Sequence, residues 1–148
     1  MNTTTDSTAE IMDFEIAYQE RYCRVRIHPG NKIVICELLA DYIPIEDFKV
    51  AFGKIGEIVK QGDYQKFIFD KRSLRAFHQP TMEWYFLEWK KEMLGYGLSQ
   101  HRKILPAEKW FEKMVQIAKE QILKNNPDHI IDQLDILYCD SIEEAIIK

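Results

Sequence analysis

The side chains best suited to chemistry gather at the end of one short run, Tyr64-Gln-Lys-Phe-Ile-Phe-Asp70, which is aromatic and β-branched and stops abruptly in a carboxylate. Gly62-Asp63 precedes the run and Lys71-Arg72-Ser73 follows it, with helical patterns on either side, so it reads as a buried parallel strand. Sites form at the carboxyl ends of such strands. Asp70 with His78 or Glu83 would be the pair for acid–base work there. The plainer use of Asp70 is to accept loop amides or to pair with Lys71 or Arg72, and that reading is preferred. Lys71, Arg72, Arg75 and His78 make the densest basic segment, and His101-Arg102-Lys103 the second. A second helix running back across the sheet would put these two segments at opposite ends. They are therefore expected to be solvated rims and not one anion site.

Other chemistries lack their spacing. Zinc needs His or Cys ligands a few residues apart, whereas His28, His78, His101 and His129 are isolated and are expected to be solvated. No metal or other cofactor is expected. Cys23, Cys36 and Cys139 each lie in apolar, strand-like runs, as buried reduced thiols do, and not at helix starts where a nucleophile would be activated. Gly95-Tyr96-Gly97 ends a helix instead of opening one, which disfavours a phosphate-binding loop. An enzyme centred on Asp70 and His78 is the weakest reading, and no catalysis is expected.

The elements that would position these residues follow from periodicity. Phe14, Ile16 and Tyr18 alternate, and the phase resumes shifted at Cys23, Val25 and Ile27, giving a bulged strand or two short ones. His28-Pro29-Gly30-Asn31-Lys32 is a turn before a second apolar run from Ile33 to Ala40, so an N-terminal hairpin is predicted. Pro44 opens a helix with Ile45, Phe48, Phe52, Ile55 and Val59 on one face and Gly62 past its end. Gly53 and Gly56 within it predict a close approach of this helix to the sheet. Pro80 opens a second helix with the core stripe Met82, Tyr85, Phe86, Trp89 and Met93, and leaves Trp84 and Leu87 off it. A strand over Arg102 to Leu105 precedes a helix facing inward with Phe111, Met114, Val115, Ala118 and Ile122, which Asn125-Asn126-Pro127 stops. Gln133 to Cys139 is the last strand, and Ser141 with Glu144 forms a capping box for a final helix. The order β(β)–β–α–β–α–β–α–β–α predicts an α/β sheet with right-handed crossovers.

Composition bounds the rest. The chain has 148 residues, enough for one domain, and its 46% hydrophobic and 30% charged content is that of a globular protein. A net charge of −4 argues against broad binding to nucleic acid or anionic membranes. Residues 1–10 are polar and read as a flexible tail, leaving 11–148 as the folded domain. Neither a secretory leader nor a long apolar run is evident, so the expected compartment is the cytoplasm.

A leading hairpin, a helix opening after the second apolar strand, a central strand ending in Asp70, and a Ser-x-x-Glu-Ala start to the last helix together resemble the STAS-like family. Its members include bacterial anti-anti-sigma factors and the cytoplasmic domains of sulfate transporters. The resemblance covers roughly Tyr22 to Lys148 and implies a mixed sheet with an N-terminal hairpin and helical crossovers. It also implies a non-catalytic regulatory domain that binds a protein partner, with homodimerisation left open. The anti-anti-sigma branch carries a phosphorylated serine at the start of the next helix. The corresponding positions here, His78-Gln79-Pro80-Thr81, lack that motif, which places the chain nearer the divergent members. Asp70, Arg72, Ser73, Arg75, His78, Thr81 and Trp84 are the candidate partner-binding residues, on the loop after the central strand and the outer side of the second helix. The alternative is a domain that holds a small apolar or anionic molecule between the second and third helices and the sheet. The Met and aromatic residues Met82, Trp89, Met93, Trp110 and Met114 suggest it.

Overall fold

β-Branched and aromatic residues fill Ile33–Leu38 (β3) and Lys66–Asp70 (β4), and both form central strands covered on each face. In the computed structural model, which describes residues 13–148, they lie in a six-stranded sheet whose order follows the sequence. Glu15–Gln19 (β1) and Cys23–His28 (β2) run antiparallel to each other, and β2 runs antiparallel to β3. Gln100–Ile104 (β5) and Asp135–Tyr138 (β6) extend the sheet in parallel from β4. The fold is thus mixed α/β. The expected tail, 1–10, and the first two residues of the expected domain lie outside the described residues.

The N-terminal run resolves into two short strands, with a register shift between Ile16 and Tyr18. Pro29 to Lys32 closes the predicted hairpin between β2 and β3, with Lys32 in the left-handed region at φ 61°.

Ile45–Gln61 (α1) links β3 to β4 and Lys109–Asn125 (α3) links β5 to β6. Between β4 and β5 runs α2, which starts as Gln79–Trp84, widens into a π-helical turn over Tyr85–Trp89, and finishes as Lys90–Leu94. Because β3 to β6 are consecutive neighbours, crossovers of one hand lay all three helices on the same face of the sheet. There Phe48, Phe52 and Ile55 of α1, Tyr85, Phe86 and Trp89 of α2, and Phe111 and Val115 of α3 pack on Val34, Cys36, Phe67 and Phe69. The opposite face carries a smaller cluster, Ile33, Ile35, Ile68 and Ile104, under Phe14 and the C-terminal helix Ile142–Ile147 (α4). Ser141 Oγ accepts from Glu144 N at 3.1 Å, as the capping box predicts, and Glu144 reaches back to Asp140 N at 2.7 Å.

Three expectations need correction. Gly56 does receive a close neighbour, since a Cβ there would lie 3.3 Å from Met93 Cε, so the contact is helix to helix. Gly53 has open space around it. Met114 does not face the core. It is exposed with Trp110 and Ile117 on the outer side of α3, while Phe111, Val115, Ala118 and Ile122 point inward.

Candidate functional site

Parallel pairing decides where the basic residues meet. β4 and β5 run in the same direction with Phe69 opposite Lys103, and Lys71 N donates to Ile104 O at 2.8 Å. The two basic segments therefore come together at one end of the sheet, contrary to expectation. Arg72, Arg75 and His78 are exposed, as a solvated rim would be, but Lys71 and the whole second segment, His101, Arg102 and Lys103, are buried. The expectation of solvated histidines fails at His101 for the same reason.

Strand alternation sends these side chains to opposite faces, and the faces treat them differently. Under α4, Arg102 donates to Asp135 O at 2.8 Å, Asp135 Oδ2 at 3.0 Å and Lys148 O at 2.7 Å. Lys66 Nζ donates to Ala145 O at 3.0 Å and Ile146 O at 2.8 Å. Both cations thus sit at the C-terminal end of α4, where free carbonyls and the helix dipole favour positive charge. Their burial is a structural matter.

On the helical face no such partners are found among the described residues. Lys71, Lys103 of β5 and Lys90 of α2 are buried among aromatic rings, and none is ion-paired to a described carboxylate. Lys71 Nζ lies 5.2 Å from the Phe69 ring centre. Lys90 Nζ lies 4.4 Å from the Phe86 ring centre, and Lys103 Nζ 4.2 Å from the same ring. Ring faces stabilise an ammonium only in part. Burial pulls Lys71 down to about 8. Burial pulls Lys90 down to about 7, opposed by the Lys103 amine beside it and helped by the charges of Lys71 and Lys119. Burial and then the charges of Lys90 and Lys71 hold Lys103 well below the ordinary lysine range. His101 donates from Nε2 to Leu98 O at 3.1 Å, and burial keeps its ring neutral. The hydroxyl of Tyr85 is buried with no hydrogen-bond partner among the described residues.

The sequence pattern of α2 explains how a lysine came to face inward. In a π turn the Lys90 N–H reaches back to Tyr85 O, and Tyr85, Phe86, Trp89 and Lys90 are all buried. Regular helical spacing accounts for the aromatic residues but hides Lys90.

An apolar recess opens beside this cluster, at the carboxyl ends of β3 and β4 and beneath α1, α2 and α3. Leu38, Ile43, Phe48, Phe69, Phe77, Met82, Phe111 and Val115 supply most of its wall, and its volume is about 70 Å³. Lys71 and Tyr85 line it, with His78 and Thr81 also on its wall. The latter two bond each other, His78 Nδ1 to Thr81 Oγ1 at 2.8 Å. Lys71 is thus the one amine of the buried trio on the recess wall.

The remaining candidate residues are dispersed. Asp70 accepts from Arg72 N at 3.1 Å, Nε at 3.0 Å and a terminal nitrogen at 2.8 Å, the loop and ion-pair use preferred on sequence grounds. It lies on the α4 side of the sheet. Ser73 Oγ donates to Ala40 O at 2.8 Å, which ties the loop down. Arg75 pairs with Glu108 at 3.3 Å, and both line an open groove with Arg72, Tyr138 and Asp140 in which acids and bases alternate. Trp84 is half-buried, edge-on to Phe48 at 6.1 Å, with Lys49 over its ring. Of the seven, Asp70 thus contacts Arg72, Arg72 and Arg75 share the groove, and His78 and Thr81 share the recess wall.

Comparison with models of protein families, with curated proteins and with solved structures finds no match to this chain.

Proposed function

We propose that the protein binds a small apolar anion, a short-chain carboxylate, in the recess over Lys71. The observation that carries this is a buried ammonium on a mostly apolar wall with no described carboxylate paired to it. A carboxylate about 4 Å from that ammonium would gain about 4 kcal/mol at an effective dielectric of about 20. Size limits the ligand: about 70 Å³ is less than the roughly 150 Å³ that admits benzene, so the chain is short or leaves by the mouth. Titration calorimetry with butyrate, butanol and butylamine tests the reading. Butyrate alone should bind, with proton uptake near pH 8 as Lys71 regains its charge, and Lys71→Met should abolish the heat. Absence of butyrate binding, or equal binding of butanol, would remove it.

A second reading keeps the regulatory role that the STAS-like resemblance implies, moved to another surface. Trp110, Met114 and Ile117 make an exposed apolar stripe on α3, a composition common at protein interfaces. A polypeptide that co-purifies with the wild type and is lost on Trp110→Glu with Met114→Glu would support it. The same polypeptides with both forms would dismiss it.

A further inference from the structure

We propose that Lys71 is a carbonyl-capturing amine, whose ε-amino group condenses with a short-chain aldehyde or ketone seated in the recess. This rests on the reading that the recess admits a small apolar molecule, and it adds a covalent step to it. Three features of the geometry carry it. Lys71 is on the recess wall, while Lys90 and Lys103 are sealed behind Tyr85 and Phe86. The wall is mostly apolar, so a neutral carbonyl compound enters without losing much hydration. Tyr85 lines the same recess, and its buried hydroxyl has no partner among the described residues, which leaves it free to donate to a carbonyl oxygen.

The step balances without any oxidant or reductant. The Lys71 Nζ lone pair attacks the carbonyl carbon, the C=O π electrons move to oxygen, and a proton passes from nitrogen to that oxygen to give a carbinolamine. The hydroxyl takes up a proton from solvent and leaves as water while the nitrogen lone pair forms the C=N bond, and the protonated imine then returns its N–H proton to solvent. Tyr85 acts as a positioning residue, holding the oxygen through its hydroxyl, which burial keeps protonated. Burial favours the free amine of Lys71, and neither it nor Lys90 of α2 nor Lys103 of β5 is paired to a described acid. Burial lowers Lys71 to about 8, so about half of it is free amine at pH 8, on the order of 100 times the fraction of an ordinary lysine.

The test is reductive trapping. The full chain is incubated with butanal at pH 8, borohydride supplies hydride to reduce any imine to a stable N-butyl amine, and peptide mass mapping locates the group. The expected result is N-butylation at Lys71 at least about 10-fold faster than at any surface lysine, and none at position 71 in Lys71→Met. Tyr85→Phe should slow trapping by about 10-fold while leaving Lys71 the preferred site. An unchanged rate in that variant would overturn the part given to Tyr85. Modification spread over surface lysines, with Lys71 spared and butyrate still bound, would overturn the capture step and leave anion binding in place. If neither butyrate binds nor Lys71 is trapped, both readings fall.

Discussion

A lysine moved from water into an apolar interior must lose its proton or find a counter-charge, and Lys71, Lys90 and Lys103 are buried close together with no counter-charge among the described residues. Their effect on stability has a definite sign. With Lys71 near 8 and Lys90 near 7, against 10.5 for an ordinary lysine, the folded chain holds fewer protons than the unfolded one between about pH 7 and 10.5. Stability therefore rises with pH from about 7. Cys36 and Tyr85 oppose this higher up, since burial raises both above their ordinary values of 9.0 and 10.0, and the rise should flatten between about pH 9 and 10. Thermal melts at pH 7 and pH 9 should show a higher Tm at the latter. Lys90→Met keeps the side-chain volume and removes a buried charge, so it should stabilise by about 1–4 kcal/mol at pH 7 and reduce the pH slope. A lower Tm with the slope intact would mean that Lys90 is solvated or paired after all.

The two glycines of α1 separate what a sequence tells about a helix from what packing adds. Each lowers helix propensity, and each looks alike in the pattern. Gly53→Ala meets open space and should stabilise by about 0.5–1 kcal/mol, read as a shift in denaturant midpoint at constant slope. At Gly56 the new methyl presses on Met93 Cε at 3.3 Å, so the gain should be smaller or reversed. Equal gains at both would mean that Met93 moves aside freely. The inward stripes of α1 and α2 were legible because the apolar residues recur at helical spacing. Lys90 was not, because the π turn that buries it breaks that spacing. His101-Arg102-Lys103 misled for a related reason. Long basic side chains bury their stems against apolar surface, so a polar run in sequence can be an interior strand, with alternate residues facing opposite layers.

Over the whole molecule, the element order was legible from turns and periodicity, but the meeting of Lys71 with Lys103 was not, since it depends on β4 and β5 pairing in parallel as neighbours. Local pattern does not carry that register. The same architecture makes the two faces of the sheet unequal. Three long helices cover one, whereas among the described residues only Phe14 and α4 cover Ile33, Ile35, Ile68 and Ile104 on the other. Although α4 is only Ile142–Ile147, it both shields that cluster and supplies carbonyls to the buried Lys66 and Arg102. Ending the chain after Asp140 would therefore combine two losses. Exposing Ile142 and the apolar surface beneath it costs about 1.5–3 kcal/mol, and leaving a buried cation without its acceptors costs about 3–5 kcal/mol. Their sum, about 5–8 kcal/mol, is comparable to the whole stability of a domain this size, about 5–15 kcal/mol. The truncated chain should lose its cooperative melt near room temperature, or melt far below the full chain, by circular dichroism. A Tm within a few degrees of the full chain would mean that the helical face alone holds the fold, and that Lys66 and Arg102 find water where α4 had been.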